Sequence, residues 1–128
     1  MNRYLTVVVL LMFASCESEN KSPFILQATY DSGPSSSFAF RKDGTFRWSN
    51  GSGLGVSETE GKYSIKDSVI TLDKIGFDKV VKSNRLLITT IQPNSRAVGK
   101  YVIQVDEKNS LIDSIFIFTV YLDKRDLL

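Results

Sequence analysis

Glu58 and Glu60 stand two residues apart in the stretch NGSGLGVSETEG, residues 50–61. Paired carboxylates are the side chains of general acid–base chemistry. In a Gly/Ser-rich setting they read first as solvated residues. Gly51, Gly53 and Gly55 alternate here with Ser52 and Leu54. Such a stretch cradles phosphate when it opens a helix, but no helical pattern follows. It reads instead as a mobile connection, and Gly51, Gly53, Leu54 and Gly55 are the first choice for a recognition loop. Arg41 and Arg47 flank Asp43-Gly44. They have the chemistry to hold an anion, although exposed cross-strand cations give the same pattern. Phe38, Phe40, Phe46, Trp48 and Tyr63 either line a ligand pocket or fill a core, as side chains usually do in small barrels. Trp48 is the best pocket candidate among them because its N–H needs a partner.

The chain contains no histidine. That removes Ser-His-Asp and Cys-His catalysis, and zinc or copper held by imidazole. An enzyme would have to work with Asp, Glu, Lys, Tyr or Ser alone. The expectation is a non-enzymatic protein with no cofactor.

The only cysteine, Cys16, lies in FASCESEN, residues 13–20. Before it come Arg3, an apolar run from Tyr4 to Phe13, and the small residues Ala14 and Ser15, the layout of a secretory signal. The run is about half the ~20 apolar residues that a membrane span needs. Phe13-Ala14-Ser15-Cys16 resembles the lipobox of bacterial lipoproteins, with Phe13 where leucine is usual. The resemblance implies cleavage before Cys16 and lipidation of its thiol. The other reading is an incidental cysteine after an ordinary signal peptide. A lone cysteine has no intrachain disulfide partner, and a free thiol is a liability in an oxidising compartment. Acyl chains, at about 0.8 kcal/mol per buried CH₂, would hold the protein to a membrane. Residues 16–23 then form the lipidated N-terminus and a polar tether. The acidic residues after Cys16 resemble a surface-export signal of one Gram-negative phylum, or simply form a solvated linker.

Cleavage would remove Arg3 from the 16 Lys and Arg, leaving 15 against 14 Asp and Glu, a formal net charge of +1. That is no clustered basic face, so nucleic acid is not an expected partner. The 112 residues after Cys16 suit one domain with a modest core.

The mature chain reads as strands and tight turns. FILQATY (24–30) is β-rich. In SSFAFRKDGTFRWS (36–49), Phe38, Phe40, Phe46 and Trp48 fall on alternate positions about Asp43-Gly44, a strong hairpin signal. GKYSIKDSVITLDK (61–74) turns at Lys66-Asp67-Ser68. KVVKSNRLLITTI (79–91) is expected to turn at Ser83-Asn84. Residues 99–122 are expected to turn at Asp106–Asn109 and to end in the strand SIFIFTVYL (114–122). Residues 123–128 are expected to be a charged tail that frays. No amphipathic helix of 10 residues or more is visible. Eight or nine short antiparallel strands in a meander predict an all-β small barrel or curled sandwich over residues 24–122.

The lipobox, the hairpin FRKDGTF and the segment GKYSIKDSVITL together resemble the small lipocalin-like lipoproteins of Gram-negative envelopes. Gly61, Tyr63 and Ile65 match the G-x-[WY]-x-[IL] arm of a hairpin common in that group. The C-terminal helix and greater length of full lipocalins are absent, which argues against a large ligand cavity. The expected function is membrane-anchored binding of a protein or glycan partner through loops. The alternative is a carrier of a small apolar ligand. The expected location is the cell envelope, on the outer membrane.

Overall fold

The computed structural model describes residues 22–30, 36–52 and 55–128. Cys16 and the rest of the expected signal and tether up to Lys21 lie outside the described residues. Eight strands follow in order: β1 Phe24–Tyr30, β2 Ser36–Arg41, β3 Thr45–Ser52, β4 Gly55–Lys66, β5 Val69–Leu72, β6 Arg85–Ile91, β7 Val98–Gln104 and β8 Phe118–Asp123. A short 3-10 helix covers Arg125–Leu127. Each strand pairs antiparallel with the next, and β8 returns to β1 to close a barrel. This is the all-β meander that the alternation predicts, and its closed eight-stranded form is consistent with a lipocalin-like domain.

The period-2 pattern sets the register. Phe38 opposes Trp48 and Phe40 opposes Phe46 across β2 and β3, so all four rings enter the barrel together. The turn between them has a local cause. The Asp43 carboxylate accepts hydrogen bonds from the Thr45 amide at 3.0 Å and the Thr45 hydroxyl at 2.7 Å. Gly44 takes a φ of +87°, a left-handed conformation that a side chain would strain. Leu26, Ala28, Ile70, Leu72, Leu86, Ile88, Val102 and Phe118 complete the core from the other strands. Each large apolar side chain buried there contributes about 1.5–3 kcal/mol. A smaller cluster of Ile103, Val105 and Ile117 packs separately with Leu87 and Tyr101.

Four expectations need correction. The described residues of 50–61, Asn50–Ser52 and Gly55–Gly61, are strand and not a mobile connection: β3 and β4 pair out to Ser52 opposite Gly55. Lys79–Lys82 is not a strand. The buried Gln104 side chain replaces the ladder there, accepting the Lys82 and Ser83 amides at 2.6 and 3.1 Å and donating to the Val80 carbonyl at 2.8 Å. Its partners satisfied, that backbone buries Val81 without joining the sheet. The last strand begins at Phe118, not Ser114. The Asp113 carboxylate accepts the amides of Ile115 and Phe116 at 2.8 and 3.1 Å, a local turn that competes with strand pairing. The C-terminus is tied down: Asp123 belongs to β8, and the Lys124 amide donates to the Ile25 carbonyl at 2.6 Å. Asp123 also pairs with Lys100 and Arg125, each at 2.8 Å. The Arg125 contact, then that of Lys100, hold the Asp123 carboxyl far below the usual range against the cost of burial.

Candidate functional site

An eight-stranded meander has two unlike ends. Here one end receives the chain at Phe24 and carries the tight turns after β2 and β4. The other carries the long connections 73–84 and 105–117 and the β3–β4 turn. That second end, with the longer connections, is the mouth.

The mouth is plugged. From the connection between β5 and β6, Phe77 packs its ring 6.1 Å from Phe46 and 6.5 Å from Trp48. Val80 and Val81 join the same core. Asp78 fastens the plug: its Oδ2 accepts Trp48 Nε1–H at 2.8 Å and Asn50 Nδ2–H at 3.0 Å. Its Oδ1 accepts the Val80 amide at 2.9 Å. Burial alone would raise the Asp78 carboxyl, but these hydrogen bonds outweigh it and hold the group below its ordinary value. From the β7–β8 connection, Phe116 sets its ring edge-on to Tyr30 at 5.0 Å.

Phe38, Phe40, Phe46 and Trp48 come together, but as packing. Phe38 lies 4.6 Å from Trp48 and 5.6 Å from Phe40. None of the four is more than 1% exposed, so none borders a water-sized void. The partner that the Trp48 N–H needs is Asp78, thirty residues on. No local pattern in the sequence could have found it. Tyr63 sits at the edge of the core, its ring 5.1 Å from Phe40. Its hydroxyl donates to the Arg41 carbonyl at 2.6 Å. Burial, with the nearby Asp43 charge, pushes the Tyr63 phenol up.

Gly51 lies in β3 and Gly55 in β4, while Gly53 and Leu54 lie outside the described residues. The proposed recognition loop is therefore the end of a paired hairpin. Gly55 adopts a φ of +135°, which its lack of Cβ permits. Among the described residues, this hairpin outruns its neighbours. β2 reaches it only to Asn50, and β5 pairs with β4 only from Tyr63 to Lys66.

Glu58 and Glu60 share one face of β4, each beside an arginine, Arg47 of β3 and Arg41 of β2. Arg47 Nη1 stands 3.8 Å from Glu58 and Arg41 Nη1 3.8 Å from Glu60, beyond hydrogen-bond length. Both guanidinium groups lie over the Phe24 ring, at 4.6 and 5.2 Å. This is cation–π packing on the outer wall. Among the described residues, no group of three or more His, Cys, Asp or Glu is placed to hold a metal ion. No helix among them is long and apolar enough to cross a membrane.

Comparison of the chain with protein families, with curated proteins and with solved structures finds no match.

Proposed function

We propose that the protein is a non-enzymatic envelope lipoprotein, anchored through Cys16, that binds a protein or glycan partner with the mouth end of its barrel. The observation that supports this reading is the contrast between the two ends. The barrel interior is filled and its mouth is fastened by Asp78, while among the described residues a paired hairpin extends beyond the neighbouring strands at that same end. The chain enters at the opposite end. Residues 17–23 separate Cys16 from β1 and span at most about 25 Å when extended. An anchor at Cys16 would tether the domain through the end at which β1 begins, opposite the hairpin.

A second reading, a carrier of a small apolar ligand, is favoured by the closed eight-stranded meander itself. It requires Phe77 and Asp78 to swing away from Trp48.

Native mass spectrometry of the protein, purified gently from its own envelope, separates the two. Acyl mass on Cys16 together with a co-purifying polypeptide or glycan is the expected result. An unmodified Cys16 refutes the anchor. A few hundred daltons of small molecule lost on denaturation refutes partner binding in favour of the carrier.

A further inference from the structure

β4 is the longest strand, 12 residues, and β5 beside it has only four. The ladder between them runs from Tyr63 to Lys66. Lys62 and Asp73 extend it by one exchange, since the Asp73 amide donates to the Lys62 carbonyl at 2.9 Å. Among the described residues, no strand pairs with Gly55–Gly61 on the side away from β3. In an antiparallel ladder successive residues direct their N–H and C=O groups to opposite edges. Lys62 directs its carbonyl away from β3, and β3 pairs with β4 without a bulge. Val56, Glu58 and Glu60 share that parity and present their backbone groups at the open edge. The Glu60 carbonyl is already taken by Lys74 Nζ at 2.6 Å. Five groups have no partner among the described residues: the amides of Val56, Glu58 and Glu60, and the carbonyls of Val56 and Glu58.

We propose that this edge binds an extended polypeptide segment by strand addition, and that the segment carries Lys or Arg at alternate positions. The proposal rests on the partner-binding reading and specifies its kind of partner. An unpaired edge is a template for another strand. The charges select which strand. Glu58 and Glu60 are each ion-paired with an arginine at 3.8 Å, longer than a hydrogen bond, and keep 52% and 60% of their side chains exposed, which leaves carboxylate surface open to a further cation. Cations placed directly opposite contribute favourably. A second copy is disfavoured, because antiparallel pairing about Glu58 or Glu60 sets that glutamate against itself. The 68% exposed Val56 supplies an apolar contact on the same face.

The test titrates the full mature protein with an acetylated and amidated peptide, Val-Lys-Thr-Lys-Thr-Lys-Val, followed by backbone NMR shifts and amide exchange. Saturable shifts confined to residues 55–61, with slowed exchange at Val56, Glu58 and Glu60, are expected. Replacing the peptide lysines by glutamate, or N-methylating the lysine amides, should weaken binding at least tenfold. Glu58→Pro should do the same, because the lost N–H serves the open edge and not the β3 ladder. The N-methylated peptide keeps the test valid if that variant fails to fold. Shifts located elsewhere, or equal affinity for the N-methylated peptide, would overturn strand addition. A concentration-dependent dimer abolished by Glu58→Pro would overturn it in favour of self-pairing. A native partner that binds Glu58→Pro unchanged would overturn it while leaving the partner-binding reading intact.

Discussion

Asp78→Ala tests whether one carboxylate holds the plug in the mouth. The substitution removes the acceptor of the Trp48 and Asn50 side-chain donors and of the Val80 amide. Trp48 is 1% exposed, so its N–H has no water to turn to. A buried donor left unpaired costs about 1–3 kcal/mol. Asn50 is only half-buried and regains water, so it adds less. The expected loss is about 2–4 kcal/mol at neutral pH. With a urea m-value of about 1–1.5 kcal/mol/M for a domain of this size, the midpoint should fall by roughly 2 M. The chain has one tryptophan, so its fluorescence reports the site directly. Emission should shift to the red as Phe77 loosens and water reaches the indole. The pH dependence has a definite sign. The folded-state carboxyl is depressed below its ordinary 3.8. Its contribution is therefore full above about pH 4 and is lost as pH falls through the folded-state value. The gap between wild type and Asp78→Ala should narrow below pH 4. A midpoint shift under about 0.5 M with unchanged emission at pH 7 would refute the argument that Asp78 fastens the mouth.

Two further substitutions probe the surroundings of the same end. In Gly61→Ala the new Cβ would lie 2.6 Å from Phe46 Cε1, 2.6 Å from Asp73 Oδ1 and 2.9 Å from Lys74 Cε. The Phe46 ring is fully buried and cannot yield, so overpacking should cost about 1–3 kcal/mol, read as a fall in Tm of roughly 5–15 °C. Gln104→Leu strands two amides and one carbonyl in the interior, at about 2–4 kcal/mol. Hydrogen exchange should accelerate first at residues 80–83 while β6 and β7 keep their protection. Uniform acceleration across the barrel would instead show that Gln104 supports the whole sheet.

The parts of the fold that were legible are those whose causes are local. Asp43-Gly44 carries both the side-chain acceptor and the left-handed residue that its turn needs, so the β2–β3 hairpin and its four core rings could be read from eleven consecutive residues. Lys66-Asp67-Ser68 works similarly, with Asp67 at a φ of +57°. The misread segments are those in which a side chain from elsewhere supplies backbone partners. KVVK has a strand's composition, yet Gln104, more than twenty residues later, pairs with its Lys82 amide and Val80 carbonyl. SIFI has one too, yet Asp113 turns it out of the ladder. The GSGLG stretch misled in the opposite direction. Its glycines suggest softness, but Gly51 and Ser52 continue the strand register of Trp48 and Asn50, and Gly55 opens the partner strand. For the site, the need of Trp48 for a partner was legible, and the identity of that partner was not.

The open edge of β4 has a physical meaning beyond its length. A closed barrel is the architecture that removes strand edges, so an unmatched stretch within one is conspicuous. Proteins usually guard such stretches with proline, a bulge or an inward-pointing charge. Gly55–Gly61 has no proline, and no bulge interrupts its pairing with β3. Among the described residues its guards are Lys74, whose Nζ caps the Glu60 carbonyl, and Glu58 and Glu60, whose charges would repel another copy of the same edge and attract a basic strand. A guard that excludes self while admitting its opposite sets a specificity. With the interior occupied by Phe38, Phe40, Phe46 and Trp48, strand addition at this edge would keep recognition on the outside of the barrel, where the backbone groups of Val56, Glu58 and Glu60 are regularly spaced.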